Sequence, residues 1–142
     1  MYAKTFLFGL LLFCIGCGKP PILNRIAKTN IIDQITHLEQ EKFPSTHREF
    51  SLNWQVPPNL DSLSVVVINF TQSLPTQYFI ESEIVMKEHG HGSSPIVIEY
   101  SQNRDHVILS ELSFFMTGKW TLIITLKEHN QIVDQWEKDI YL

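Results

Sequence analysis

The chain is poor in cysteine and has no excess of basic charge, and each shortage excludes a class of function. Its two cysteines, Cys14 and Cys17, both precede residue 18, so the rest of the 142 residues has no thiol for a disulfide, an iron–sulfur cluster or a nucleophile. Lysine and arginine number 11 against 15 acidic residues, whereas nucleic-acid binding needs clustered basic side chains. The composition therefore argues against cysteine chemistry and against a nucleic-acid partner.

The chain also lacks the usual catalytic motifs. It has no phosphate-binding glycine loop, no Ser/His/Asp arrangement at a strand-to-helix elbow, and no paired carboxylates in an apolar setting. We therefore expect a protein that is not an enzyme, and its length is that of a single domain.

The one long apolar run, residues 5–15, follows Lys4 and precedes Gly16. It is shorter than the roughly 20 residues that span a bilayer, so residues 1–16 are predicted to be a signal peptide. Residues 13–17 resemble the bacterial lipobox, in which a small residue precedes a cysteine that is lipidated. That resemblance implies a membrane anchor at Cys17 and a place in the cell envelope outside the cytoplasm, facing the periplasm if the cell is Gram-negative. An ordinary secreted protein with a chance cysteine is the alternative.

Residues 17–47 are predicted to be a lipid-anchored tether with one short helix, which Asn30 would cap. This segment is interpreted as a spacer, with a partner-binding helix as the alternative. From Arg48 onward, apolar and polar residues alternate with period two.

Residues 48–142 are predicted to form one β-domain. Turn residues divide it into about seven strands, at 49–56, 64–71, 76–87, 96–101, 106–115, 119–127 and 131–141. With no helical pattern between them, these strands favour an all-β, antiparallel, immunoglobulin-like β-sandwich. Alternation predicts these inward-facing residues: Val66, Ile68, Phe70, Ile80, Ile84, Met86, Leu112, Phe114, Met116, Trp120, Leu122, Ile124 and Leu126.

Methionine and glycine are also scarce, and their positions single out two segments. After Met1 the only methionines are Met86 and Met116, and the only glycines after residue 18 are Gly90, Gly92 and Gly118. They fall in two segments, 86–95 and 114–120, which contain the third and fifth connections between the predicted strands. In an up-and-down arrangement of strands, odd-numbered connections share one end of the sandwich, so the two segments should lie together.

The donor atoms of these segments suggest a metal. Thioether sulfur is soft and imidazole is borderline, so two methionines with His89 and His91 suit copper, and Cu(I) in particular. The predicted ligands are Met86, His89 and Met116, with His91 as a fourth or alternative ligand. Trp120 could cover the site as a lid. The competing interpretation makes both methionines and Trp120 core residues and the histidines part of a flexible hairpin tip.

Two sequence segments carry a resemblance to a known family. They are Met86-Lys87-Glu88-His89-Gly90-His91-Gly92 and Phe115-Met116-Thr117-Gly118-Lys119-Trp120. Together they resemble the YtkA-like and FixH-like bacterial envelope domains, whose signature is Met-Pro-x-His-x-His-Gly followed by Phe-x-Met-x-Gly-x-Trp. Lys87 stands where that signature has proline.

The resemblance implies an immunoglobulin-like sandwich outside the cytoplasmic membrane, with a role in copper handling or respiratory-oxidase assembly. The leading hypothesis is therefore a membrane-anchored copper carrier or chaperone that hands its metal to a copper-accepting envelope protein. The alternative is a structural or protein-interaction lipoprotein without metal.

Overall fold

The computed structural model describes residues 39–142, which form nine β-strands in two antiparallel sheets. No helix lies within that range, so the described part of the chain is all-β, as predicted. The strands are β1 (Gln40–Lys42), β2 (Glu49–Val56), β3 (Ser64–Phe70), β4 (Tyr78–Met86), β5 (His91–Gly92), β6 (Val97–Tyr100), β7 (His106–Leu112), β8 (Lys119–Glu128) and β9 (Gln131–Tyr141). The predicted signal peptide, the anchor at Cys17 and the tether helix lie outside the described residues.

Seven of the nine strands correspond to the seven predicted ones. β2 and β9 have the predicted ends, and the other five lie within three residues of theirs. The two additional strands, β1 and β5, contain three and two residues. β5 lies in the connection at 90–95, which was predicted as a turn, and it pairs with the end of β4.

The strands are ordered β1-β2-β3-β7-β6 in the first sheet and β5-β4-β8-β9 in the second. Every neighbouring pair is antiparallel. Apolar side chains from both sheets form one shared core, so the arrangement is sandwich-like. Among the described residues, no helix is long and apolar enough to cross a membrane.

The core follows from the alternation of side chains along each strand. Every predicted inward residue is buried except Met116, which is partly buried and packs against the core. In β8 the residues between the inward ones are buried as well, because this strand lies between β4 and β9. The predicted core is therefore confirmed.

The sandwich begins earlier than the predicted boundary at residue 48. β1 pairs with β2, and the fully buried Phe43 packs on Phe50 with 5.0 Å between ring centroids. The Lys138 ammonium group of β9 lies 2.8 Å from a carboxylate oxygen of Glu41. The last residues of the predicted tether thus belong to the β-domain. The sequence did not reveal this, because a three-residue strand carries too little alternation to be recognised.

Strand pairing defines two ends of the sandwich. Ser64 pairs with Leu112, and Lys119 with Tyr141, at the end that carries connections 57–63, 87–96 and 113–118. We call these connections the methionine pole. The other end carries 43–48, 71–77, 101–105 and 129–130, which we call the arginine pole. The odd-numbered connections between the seven predicted strands thus share one end, as expected.

Candidate metal site at the methionine pole

Met86 is the last residue of β4, and its side chain lies inside the core. It is 1% exposed and pairs across the ladder with His91 of β5. Its terminal methyl Cε lies so close to Gly118 that a Cβ added there would be 3.1 Å away. Gly118 has φ +131°, a conformation that side chains disfavour. The two segments that the sequence singles out are therefore in contact.

The backbone of Met116 is hydrogen-bonded to the side chain of Trp120. The indole Nε1–H of Trp120 donates to the Met116 carbonyl oxygen at 3.0 Å, which closes the turn before β8. The Trp120 ring is fully buried and meets Phe114 edge-on, with 5.6 Å between centroids. The Met116 side chain is partly buried against the same core. One thioether is thus buried and the other lies at the margin of the core.

His89 and His91 are exposed at the tip of the β4–β5 turn. Their rings are nearly parallel, with 6.3 Å between centroids and 15° between planes. The His89 backbone N–H donates to the Met86 carbonyl oxygen at 3.0 Å, and Gly90, at φ 66°, reverses the chain between the histidines. Both imidazoles therefore remain accessible to a ligand while their backbone is held in a short turn.

Phe115 lies between the histidines and the buried tryptophan. Its ring is 6.3 Å from that of His91 and 5.0 Å from that of Trp120, in edge-on contacts. Its side chain is 52% exposed, whereas Trp120, the predicted lid, lies beneath it in the core. The sequence analysis did not single out Phe115 as a site residue. Its place in the strand alternation, opposite in phase to Phe114 and Met116, was the clue to an outward ring.

Charged residues surround this pole in pairs. Lys87 lies 2.5 Å from Glu137, and Lys119 lies 2.9 Å from Asp139. The hydrogen bond from Lys87 holds the pKa of Glu137 below its ordinary value, and the hydrogen bond from Lys119 does the same for Asp139. With Glu88, these groups line a cavity of about 260 Å³. Two lysines against three carboxylates leave a net charge of −1, which favours a cation.

These residues provide two thioethers and two imidazoles at one pole, a donor set that fits copper and Cu(I) better than Mg²⁺ or Ca²⁺. Met86 and Met116 would supply the sulfur ligands, and His89 and His91 the nitrogen ligands. Within residues 39–142, no group of three or more His, Cys, Asp or Glu side chains is placed to hold a metal ion.

Comparisons with known proteins were made at the level of families, curated sequences and solved structures. No family model, no curated protein and no solved structure matches this chain.

Proposed function

We propose that this chain is a membrane-anchored metal-binding module of the bacterial cell envelope that carries copper as Cu(I). The observation that supports this most is the contact between the Met86 methyl group and the Gly118 turn. It brings the two methionine segments together beneath a pair of exposed histidines. A carrier or chaperone fits this arrangement better than an enzyme, because the donors can hold a soft cation and no catalytic motif accompanies them.

The presence of two thioether donors favours Cu(I) over Cu(II). Met86 lies in the apolar core next to Trp120, whereas His89 and His91 lie at the surface. Thioethers select the soft, reduced ion, and imidazoles alone accept Cu(II) or zinc as well. Phe115, which contacts His91 and Trp120, would shield the metal from water and oxidants.

The strand order supports an immunoglobulin-like classification of the sandwich. When β2, β3, β4, β6, β7, β8 and β9 are lettered A to G, the sheets contain A-B-E-D and C-F-G. That is the arrangement of constant-type immunoglobulin domains. We further propose that a signal peptide and lipidated Cys17, with a short tether, hold this domain outside the cytoplasm. There it would pass copper to an acceptor protein, such as one involved in respiratory-oxidase assembly.

A protein-interaction module without metal is the second candidate, and two observations favour it. Met86 is 1% exposed and Met116 packs against the core, as methionines used only for packing would be. In addition, Leu60, Leu63, Phe115 and Tyr141 leave 45% to 73% of their surface exposed around the methionine pole. Under this reading, apolar contacts with another protein would occupy the pole.

Anaerobic Cu(I) titration against a competing chelator separates the two candidates. Met86→Leu and Met116→Leu remove sulfur while keeping apolar volume, so they separate ligation from packing. We expect each to weaken Cu(I) binding by about tenfold or more, because it removes one sulfur ligand; a tenfold change corresponds to about 1.4 kcal/mol. His89→Ala should do the same, whereas His129→Ala, an exposed histidine at the other end of the sandwich, serves as its control.

Two results would contradict the copper proposal. One is a wild-type chain that takes up no Cu(I) under these conditions. The other is a pair of leucine variants that bind Cu(I) as tightly as the wild type, since the methionines would then be core residues only. Either result favours the interaction module.

A further inference from the structure

A short turn at the arginine pole holds two basic residues in place. The Phe43 N–H donates to the Arg48 carbonyl oxygen, and the His47 N–H donates to the Phe43 carbonyl oxygen, each at 3.0 Å. The Asp134 carboxylate accepts two further N–H groups of the turn at 2.9 and 2.5 Å. His47 adopts φ 55°, the left-handed conformation, within this turn. The turn is therefore rigid before any ligand arrives.

Arg48 and Arg104 lie at the same pole but use their side chains differently. Arg104 donates from Nε to the Leu74 carbonyl oxygen at 3.1 Å and from Nη2 to the Tyr78 carbonyl oxygen at 2.5 Å. The Arg48 guanidinium lies over the Tyr78 ring, 5.1 Å from its centroid. In residues 39–142 it makes no side-chain hydrogen bond and no ion pair. Arg104 therefore supports the fold, whereas the donors of Arg48 are not used by any group within the described range.

Arg48 lines a cavity of about 440 Å³ between the turn and the start of β4. The other lining residues are Thr46, His47, Glu49, Thr71, Gln72 and Tyr78. Most of these side chains can donate a hydrogen bond, and Glu49 is the only acidic one. The part of the chain that the structure describes shows no ion pair between Glu49 and Arg48. The cavity thus combines several neutral donors with a planar cation that has no ion pair among the described residues.

We propose that this cavity binds a phosphate-type oxyanion, with the Arg48 guanidinium as its main ligand. The planar fork of arginine bonds two oxygens of such an anion at once. The remaining phosphate oxygens would accept hydrogen bonds from the Tyr78 hydroxyl, the Gln72 amide and the His47 ring. A carboxylate has only the two oxygens that Arg48 would bond, so it would leave these donors unused. This site is separate from the methionine pole and does not depend on metal binding there.

The test is a titration of the isotopically labelled full chain with inorganic phosphate, followed by ¹H–¹⁵N NMR in phosphate-free buffer. Saturable shifts should appear at His47, Arg48 and Tyr78. Arg48→Gln should weaken binding by about tenfold or more, because it removes a charge-assisted bidentate contact. Glu49→Gln should strengthen binding, since it removes the only negative charge in the cavity. Lys87→Gln changes the net charge equally at the other pole and should leave binding unchanged.

A parallel titration with dimethyl phosphate identifies the source of the anion. Tighter binding of inorganic phosphate indicates a free phosphate or a phosphate monoester, and equal or tighter binding of the diester indicates a lipid headgroup. In both cases the effect must depend on Arg48. The proposal is overturned if neither probe gives saturable shifts, or if Arg48→Gln binds as the wild type does.

Discussion

Each pole of the sandwich is stabilised by a different kind of interaction. At the methionine pole, Trp120 and Met86 are buried in the apolar core, and the Met86 methyl group packs against Gly118. At the arginine pole, the carbonyl oxygens of Leu74 and Tyr78 accept hydrogen bonds from Arg104. One pole is therefore stabilised by apolar contact and the other by charged side chains that bond to the backbone.

This difference determines which groups remain available for binding. Because packing holds the methionine pole, the imidazoles of His89 and His91 are not needed for the fold and stay exposed. At the arginine pole, Arg104 and Asp134 are committed to backbone groups, whereas Arg48 has no such partner among the described residues. Each pole offers a ligand the chemistry that its own stability does not require.

The largest effect should come from breaking the apolar packing of the methionine pole. Trp120→Ala removes a fully buried ring and should lower the free energy of unfolding by about 3–5 kcal/mol. Phe115→Ala is the matched control, because it removes a half-exposed ring that keeps only edge-on contacts, worth about 0.5–1.5 kcal/mol each. Urea unfolding of both variants measures the difference. Equal losses of unfolding free energy would show that burial of Trp120 is not the main stabilising contact of this pole.

The arginine pole should be weakened most by the loss of a buried carboxylate. Asp134 is 5% exposed, and its Oδ2 accepts the N–H groups of Ser45 and Thr46. Asp134→Asn should cost about 1–3 kcal/mol, because it weakens hydrogen bonds to a charged acceptor. Asp139→Asn, which breaks an exposed pair with Lys119, should cost less than about 1 kcal/mol. A loss for Asp139→Asn that matches or exceeds that of Asp134→Asn would contradict this account.

The same carboxylate predicts a pH dependence. Burial alone would raise the pKa of Asp134, but hydrogen bonds from Thr46, and from the Gln135 and Ser45 N–H groups, hold it below its ordinary value. A lowered folded-state pKa contributes stability above the unfolded value of about 3.9 and loses it as pH falls through the folded value. The stability gap between wild type and Asp134→Asn should therefore shrink on acidification below about pH 4. A constant gap across that range would remove Asp134 as the cause.

Substituting alanine for each of three glycines at the methionine pole should lower stability by different amounts. Gly118→Ala adds a Cβ against the Met86 methyl at a positive φ and should cost about 1–3 kcal/mol. Gly90→Ala has the positive φ without a neighbouring atom and should cost about 1–2 kcal/mol. Gly92→Ala has neither problem and should stay within about 0.5 kcal/mol of wild type. Thermal unfolding tests this ranking, and a cost for Gly92→Ala equal to that for Gly118→Ala would contradict it.

The smallest effect concerns the charged residues around the same pole. Lys87→Gln breaks an exposed ion pair with Glu137 and should change the free energy of unfolding by less than about 1 kcal/mol, with the difference fading at high salt. It also makes the pole more negative, so Cu(I) should bind no more weakly than to wild type. A loss of stability that does not depend on salt would contradict the assignment of this pair as an exposed, screened ion pair.

Much of the fold could be predicted because long strands repeat a simple pattern. β2 and β9 were predicted with their observed ends, since alternation runs through the 8 residues of β2, and the turn residues at 128–130 mark the start of β9. β1 and β5 were not, because strands of three and two residues form only where a longer neighbour offers its edge. The place of Phe115 between His91 and Trp120 was also missed. Alternation marks Phe115 as outward-facing, but which rings it contacts depends on how β5 and the turn before β8 come together.

The sequence by itself determined which residues face the core, and that Met86, Met116, His89 and His91 share one end of the sandwich. Both follow from local periodicity and from the order of the strands, and neither needs a distance. Only the tertiary structure decided that the Met86 methyl group packs against Gly118, and that, within residues 39–142, Arg104 is committed to backbone carbonyl groups while Arg48 is not. The two arginines look alike in sequence, because what distinguishes them is the set of carbonyl groups that folding brings from distant strands and turns.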